Sequence, residues 1–164
     1  MALTPEQLQQ VDALPSDWEL IPTFTDKGPA PVSQGSSMRI AWKSRSWDRE
    51  QLEELNGTCF GVGVKLGPDS GGLLVMDYDA RKDDRGSAIR CFEQNFGFGW
   101  DDLPETVAWT SGKPGRAAVA FVVPMDWWEA MPNRRTWGDS NGDLLEARFR
   151  DHYSGVIGAH PETA

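Results

Sequence analysis

The sequence predicts one α+β domain, a mixed β-sheet with flanking helices, and three observations lead to this prediction. Helical and strand-like patterns alternate along the 164 residues in the rough order βαββαββαββ. The run Leu73–Met76 is uniformly apolar, as expected of a central strand that is buried on both faces. Turns rich in Gly and Pro separate the elements, and 39% of the residues are hydrophobic, which is enough to order a core.

Each element is indicated by a cap, a turn or a hydrophobic period. Thr4 and Pro5 suit the N-cap and first turn of a helix, which we treat as an N-terminal extension, residues 1–14, of a domain over 15–164. In chain order we expect helices over 5–13, 48–55, 84–96 and 125–131, and strands over 18–23, 59–66, 73–76, 106–110, 117–123, 144–149 and 154–157, the last two paired with each other. A long loop with Gly and Pro over 26–45 is typical of functional or mobile segments.

Charge and cysteine content exclude several classes of protein. The net charge is -9, with 16 Lys and Arg against 25 Asp and Glu, which argues against a basic face that grips long duplex DNA. Positive charge is concentrated, for example in the acid-free stretch 106–125 with Lys113 and Arg116. Cys59 and Cys91 stand alone, so neither a disulfide framework nor a structural zinc site is expected. Without a leader segment or an apolar run of roughly 20 residues, we expect a cytoplasmic protein with no membrane partner.

Asp77 and Asp79 are candidate metal ligands. Residues two apart on a strand point to the same face, so these carboxylates project together at the end of the buried run. Two carboxylates so close repel each other unless a cation neutralises them, and hard oxygen ligands suit Mg²⁺ or Mn²⁺. The alternative, which so short a motif leaves open, is a solvated strand end at which an Asp starts a turn.

Glu146 is the candidate third acid. Alternation places it on one face of its strand with Arg148, while Leu145 and Ala147 take the other face. If this strand lies beside the strand of Asp77, the three carboxylates form a cage for two cations about 4 Å apart, the arrangement used for in-line phosphoryl transfer. The alternative is an exposed strand on which Glu146 and Arg148 pair with each other.

The segment Ser111–Arg116 has the composition of an anion-binding turn. Its backbone N–H groups, its hydroxyl and its two cations suit a triphosphate. It is not a Walker A loop, since Val107 and Pro114 occupy positions that the motif reserves for Gly and for Ser or Thr. His160, which follows small residues, either reaches a phosphate or caps a turn, whereas we expect His152 at the surface.

Three ordered segments resemble the motifs of one known family. They are GVKLGPDSGGLLVMDYD at residues 63–79, TSGKPGRAAVAF at 110–121 and LEARFRDHYSGVIGAHP at 145–161. These segments are similar to the bifunctional primase-polymerase N-terminal domain of the archaeo-eukaryotic primase superfamily, and most of all to cyanobacterial and phage-type members. The resemblance spans most of the chain from about Pro15. It implies a catalytic core like an RNA-recognition motif with a second, small α/β half beside it.

The resemblance also implies residue roles. Asp77, Asp79 and Glu146 would be catalytic and would hold two Mg²⁺ or Mn²⁺ ions. The implied nucleotide-binding residues are Ser111, Gly112, Lys113, Arg116, Arg148 and His160. One departure matters: many members carry a His about two residues after the Gly-Arg of the second motif, where this sequence has Ala117-Ala118. Relatives often continue into a helicase, so we expect either an excised domain or an unusually short protein, with a helicase as an additional partner.

The sequence thus leads to the hypothesis of a template-dependent nucleotidyltransferase, a DNA primase/polymerase that extends primers from NTPs or dNTPs on single-stranded DNA in phage or plasmid replication. Two alternatives stay open. A degenerate primase-like module would bind nucleotide or single-stranded DNA without catalysis, which the Ala117-Ala118 departure and the acidic pI favour. A glycosyltransferase of the D-x-D type would need a nucleotide-sugar pocket.

Overall fold

The computed structural model describes residues 3–55, 57–79, 85–99, 102–110, 116–138 and 144–158. The α+β fold class is confirmed by the helices and strands within these ranges. The helices are α1 (Pro5–Asp12), α2 (Arg49–Glu54) and α3 (Arg85–Phe96). The strands are β1 (Leu20–Thr23), β2 (Gly61–Lys65), β3 (Leu73–Asp79), β4 (Ala108–Trp109), β5 (Arg116–Val122), β6 (Arg134–Gly138), β7 (Leu144–Arg148) and β8 (Tyr153–Gly158). Short 3₁₀ turns span Trp42–Ser44, Pro68–Ser70 and Met125–Trp127.

The chain divides into two compact units, the first formed by Met1–Lys65, Asp69–Gly71 and Tyr153–Ala164. Its antiparallel sheet has the strand order β1-β2-β8. Helices α1 and α2 contribute to the same core as these strands. The central side chains of this core are Leu8, Val11, Ile21, Leu52, Val62 and Ile157. Hydrophobic burial of one face of each helix therefore holds the first unit together.

Both helices of the first unit begin where their caps predict. The Thr4 hydroxyl accepts a hydrogen bond from the N–H of Gln7, and the Gln7 side chain accepts one from the N–H of Thr4. Asp48 and Gln51 form the same reciprocal pair at the start of α2. These capping boxes satisfy N–H groups that have no partner inside the helix, so the two N-terminal boundaries follow from local sequence.

The second unit, Leu66–Pro68 with Gly72–His152, contains an antiparallel sheet in the order β4-β5-β3-β7-β6. The uniformly apolar run starts the central strand, β3, and its residues Leu73 and Val75 are almost completely buried. Leu74, Met76 and Tyr78 face the opposite side, where they share a core with Phe92 of α3. The strand therefore buries both faces, as its composition predicts, and continues through Asp77 to Asp79.

Several sequence-based expectations about the sheets are wrong. Residues 144–149 and 154–157 are not a pair, because β7 lies between β3 and β6 while β8 pairs with β2. Hydrophobic alternation identifies a strand but not its partner, and β8 buries Ser154 and Ile157 by joining the first sheet. The pairings of the described strands are all antiparallel rather than mixed.

Two segments differ from expectation for local reasons. β6 is absent from the sequence-based assignment because it is an edge strand with exposed, polar residues and no alternating pattern. The expected helix over 125–131 is reduced to the 3₁₀ turn Met125–Trp127, since a segment this short before a Pro cannot sustain an α-helix. Within the described chain, no helix combines the length and the apolar character needed to cross a bilayer.

Candidate active site

One face of the second sheet, opposite α3, carries the charged residues of the candidate site. Asp77 is directly opposite Glu146 on β7 and Ala118 on β5. Asp79, two residues along β3, is directly opposite Arg116 on β5. Directly opposed residues share a face of a sheet, as do residues two apart on a strand. The structure therefore brings Asp77, Asp79 and Glu146 to one face, although β3 and β7 are far apart in sequence.

Arg148 joins two of these carboxylates. Its Nη2 lies 2.5 Å from Asp77 Oδ2, and its Nε donates a hydrogen bond to Glu146 Oε1 over 2.5 Å. Arg134, on the neighbouring edge strand, approaches Glu146 more loosely, with 3.8 Å between Nη1 and Oε2. The sequence left two alternatives, a Glu146–Arg148 ion pair or a Glu146 side chain next to Asp77. The structure contains both, because Arg148 pairs with Glu146 while Glu146 lies opposite Asp77.

The environment of Arg148 favours its charged form. Partial burial lowers the pKa of Arg148, but the negative charges of Asp77 and Glu146 and the hydrogen bond to Glu146 raise it more, so the net pKa lies above its ordinary value. The guanidinium is therefore a permanent cation between two carboxylates. Charge-assisted hydrogen bonds of this kind are roughly twice as strong as neutral ones.

Arg116 forms a second ion pair at the end of β3. Its Nε lies 2.7 Å from Asp79 Oδ1, and the Asp79 side chain is about half exposed. Next to it, the Thr110 hydroxyl donates a hydrogen bond to the Arg116 carbonyl over 2.9 Å, which ties the end of β4 to the start of β5. Thr110 and Arg116, the described residues on either side of positions 111–115, are thus joined to each other, and Arg116 is opposite Asp79.

Four of the predicted nucleotide-binding residues lie outside the described residues. They are Ser111, Gly112, Lys113 and His160. Their roles stay predictions. The other two, Arg116 and Arg148, contact the predicted metal-ligating carboxylates.

Sequence reasoning missed two members of this charged surface. Arg134 belongs to the unpredicted edge strand, and only the pairing of β6 with β7 brings it to Glu146. His152, expected at the surface, is half-buried, and its pKa lies below its ordinary value because of burial and then the positive charges of Arg148 and Arg134, which outweigh Glu146. The available signal in the sequence was the concentration of arginines at positions 134, 135, 148 and 150. Their number alone does not tell which face of the sheet each side chain lies on.

The donor chemistry of the three carboxylates fits a hard divalent cation such as Mg²⁺ or Mn²⁺. Among the described residues, no three acidic, His or Cys side chains are gathered into a group that could hold a metal ion. The positive charges of Arg148 and Arg116 neutralise the carboxylates in the structure, since the two guanidinium groups contact oxygens of all three. A metal ion would compete with these arginines for the same oxygens.

Comparison with known proteins identifies one family. The family model described as "Bifunctional DNA primase/polymerase, N-terminal" matches residues 10–164, which is essentially the whole chain. Among curated proteins, none matches the chain significantly. The match covers both compact units and includes every predicted site residue.

Proposed function

The chain belongs to the bifunctional DNA primase/polymerase N-terminal family, and from that premise we propose that it is a template-dependent nucleotidyltransferase that adds nucleotides to a 3′-hydroxyl. The family indicates primase/polymerase-type chemistry on nucleotide and DNA substrates, with divalent metal ions used in general. The finer elements of the proposal are two Mg²⁺ or Mn²⁺ ions, an NTP or dNTP, and a primer on a single-stranded DNA template.

The observation that carries the proposal is the register of the second sheet. It sets Asp77 opposite Glu146 and places Asp79 on the same face, next to the point where the basic segment 111–115 enters β5 at Arg116. Carboxylates suit the metal ions of a metal-bound triphosphate, and the arginines interspersed with them suit its phosphate oxygens. A core strand that is buried at one end and charged at the other supplies the rigid support that such a site needs.

The proposed roles follow from charge and position. Asp77, Asp79 and Glu146 would hold the metal ions, which when bound activate the 3′-hydroxyl and stabilise the charge on the departing pyrophosphate. Arg116 and Arg148, now paired with those carboxylates, would be free to contact phosphate oxygens when the carboxylates bind metal. The remaining proposed nucleotide contacts are Ser111, Gly112, Lys113 and His160.

Primer extension by the purified protein with Mn²⁺ or Mg²⁺ tests the proposal. We expect the double variant Asp77→Asn, Asp79→Asn to synthesise DNA at least about 10³-fold more slowly, because without these carboxylates no metal ion would stabilise the negative charge on the departing pyrophosphate. The matched control is Asp126→Asn, Glu129→Gln, which removes the same charge from exposed positions of the same unit. Synthesis by the site variant at the rate of the control would contradict the assignment.

A second assay separates nucleotide binding from chemistry. We expect Lys113→Ala to raise the KM for the nucleotide more than it lowers kcat, because a cation that holds the triphosphate before and during reaction mainly supplies uniform binding. The equivalent change at Arg90, an exposed cation on α3, should leave both constants unchanged. A loss confined to kcat for Lys113→Ala would move this residue from nucleotide binding to transition-state stabilisation.

One observation favours the alternative of a module that binds nucleotide or single-stranded DNA without catalysis. Ala118 is buried directly opposite Asp77, within the Ala117-Ala118 departure from the resembling family. The methyl group offers nothing to a phosphate, so one expected contact is lost in this chain. Calorimetry that detects nucleotide binding, together with no pyrophosphate release under any metal and template condition, would select this alternative.

A further inference from the structure

The loop between β1 and α2 is the most cationic part of the first unit. Its residues 27–47, here called the basic loop, carry four Lys or Arg and no Asp or Glu, although the whole chain has a net charge of -9. The other 143 residues (164 minus 21) therefore have a net charge of -13 (-9 minus 4). Asp26, just before the loop, pairs with Arg39 over 2.6 Å, and the other three cations of the segment exceed its nearby acids in number. A local excess of cations on an acidic protein attracts a polyanion to that place.

The basic loop has a defined backbone rather than an irregular course. The N–H of Ala30 donates to Pro22, that of Ile40 donates to Ala30, and that of Trp47 donates to Leu20. Bridges join its two arms at Pro31 and Arg39 and join its base to β1 at Thr23 and Pro29. Since both arms are hydrogen-bonded to each other or to β1, the loop has an ordered backbone from which its side chains project.

Cations in and around the loop stack on aromatic rings. The distances from the charged centre to the ring centroid are 5.3 Å for Arg39 over Phe24, 5.6 Å for Lys43 over Trp42 and 4.8 Å for Arg45 over Trp47. Lys43 and Arg45 are exposed, so their charges remain accessible from solvent while their stems cover the rings. Trp42 is half-buried and Trp47 is buried, so the two rings chiefly fix the positions of the exposed cations. Positioned cations next to aromatic rings are among the elements by which proteins hold single-stranded nucleic acid.

A cleft opens beside the last of these pairs. Its volume is about 410 Å³, and Arg45 and Trp47 line it together with apolar side chains and two polar groups of α2. The other lining residues include Val32, Ile40, Leu55 and Gln51. A cleft of this size, with a mixed apolar and polar lining and a cation at its side, can take one planar ring system attached to an anionic backbone. Glu54 also lines the cleft and offers an acceptor for an exocyclic amine.

We propose that the basic loop and its cleft bind single-stranded DNA, with phosphates on Lys43 and Arg45 and one base in the cleft beside Trp47. This inference rests on the proposed function insofar as the strand would be the template, but binding itself requires neither nucleotide nor metal. Duplex DNA is disfavoured because its bases are stacked and paired and so cannot enter the cleft.

Photochemical cross-linking of the wild-type chain locates the strand directly. An oligo-dT in which some thymidines are replaced by 5-iododeoxyuridine is irradiated with the protein, without metal or nucleotide, and the tryptic peptides are mapped by mass spectrometry. We expect cross-links at Trp42 or Trp47 in the peptides covering 40–43 and 46–49. Cross-links found only within residues 66–152, or no complex at all, would overturn the proposal.

The salt dependence of binding tests the cations. We expect the double variant Lys43→Gln, Arg45→Gln to make the salt dependence shallower in fluorescence anisotropy with labelled oligo-dT. The negative slope of log K against log salt should become smaller in magnitude by about 1.4, since each phosphate contact on a single strand contributes about 0.7. At about 0.1 M salt this corresponds to roughly 25-fold weaker binding. The charge-preserving variant Lys43→Arg, Arg45→Lys should keep the wild-type slope.

A matched control distinguishes this surface from a general charge effect. Arg49→Gln, Arg90→Gln removes two exposed cations outside the loop, and its binding should stay within about twofold of wild type. Equal weakening of this control and of the loop variant would overturn the proposal, as would a loop variant that binds like wild type. Thermal melting by circular dichroism verifies that each variant is folded.

The catalytic proposal can fail independently. The variant Asp77→Asn, Asp79→Asn should bind oligo-dT at least as tightly as wild type, because the loop is unchanged. If wild type binds the strand through the loop yet synthesises nothing, the proposed function is wrong and the binding surface stands. If synthesis occurs but the loop variant has unchanged affinity and unchanged extension, the binding surface is wrong and the proposed function stands.

Discussion

Replacing Arg148 by Gln tests the electrostatics of the candidate site most directly. The change keeps a polar side chain of similar length but removes the guanidinium that lies 2.5 Å from both Asp77 Oδ2 and Glu146 Oε1. Asp77 and Glu146 then face each other across β3 and β7 without that cation between them. Like charges that are directly opposed on neighbouring strands destabilise a sheet.

The magnitude follows from the burial of the three side chains. They are 29%, 30% and 22% exposed for Arg148, Asp77 and Glu146, so solvent screens the pairs only in part. A hydrogen bond to a charged group contributes about 1.5–3 kcal/mol, and breaking two of them is offset in part by solvation and by rotation of the freed carboxylates. We expect Arg148→Gln to lower the free energy of unfolding by about 2–3 kcal/mol. For a chain of this size that corresponds to a Tm lower by about 5–10 °C.

Urea denaturation and thermal melting measure this difference. The control is Arg150→Gln, because Arg150 donates its hydrogen bonds to the neutral acceptors Asn133 Oδ1 and Trp128 O. We expect this control to cost less than about 1 kcal/mol. In the double variant Arg148→Gln, Glu146→Gln the repulsion is gone, so the coupling between the two positions should reach about 1–2 kcal/mol.

Divalent cations give a second readout of the same interaction. Mg²⁺ or Mn²⁺ at about 10 mM should raise the Tm of Arg148→Gln more than that of wild type, because the ion no longer competes with the guanidinium. An Arg148→Gln variant that melts within about 1 °C of wild type, in the presence and absence of divalent ions, would refute the reasoning.

Three further predictions concern a thiol, an imidazole and a turn. Burial raises the pKa of the Cys59 thiol to about 11, because it outweighs the hydrogen bonds from the backbone. In a variant whose other cysteine is replaced by Ser, we therefore expect Ellman's reagent to react only on unfolding, and the free energy of unfolding to fall between about pH 9 and 11. Fast labelling of the native protein would contradict this. Burial and then the charge of Arg148 lower the pKa of His152, so the contribution of His152 to stability declines as pH falls below about 6.5. Arg148→Gln should therefore raise the pKa of His152 in an NMR titration. An unchanged or lower pKa of His152 would count against the electrostatic coupling. Gly72→Ala should lower the free energy of unfolding by at least about 2 kcal/mol in urea denaturation, because Gly72 has φ +87° and an added Cβ would meet a backbone oxygen at 2.3 Å. The control Gly155→Ala should cost much less, since Gly155 has open space and an ordinary φ. Equal costs for the two variants would contradict the steric argument.

Much of the local structure could be predicted from the sequence because local interactions produce it. The caps at Thr4 and Asp48 position the starts of α1 and α2 by hydrogen bonds that span three residues. The apolar run after Gly72 indicated a strand buried on both faces, and β3 lies at the centre of its sheet. Alternation also placed Asp77 with Asp79 on one face of that strand.

Strand partners depend on contacts between distant segments, and there the sequence was insufficient. β8 follows β7 closely and alternates in the same way, so a hairpin was the natural expectation, yet it pairs with β2. β6 has no hydrophobic pattern of its own, because an edge strand need not bury its side chains. With β6 unassigned, the approach of Arg134 to Glu146 could not be foreseen.

The amino-acid sequence by itself determined the α+β class, the family and the starts of α1 and α2, because capping, periodicity and motif order each depend on a few neighbouring residues. It also proposed the acidic residues of the site. Only the tertiary structure decided that Asp77 faces Glu146 and that Arg148 lies between them. Strand register is the reason: it is set by the joint packing of β3, β5 and β7 with α3, and a shift of one residue would turn the acids into the core.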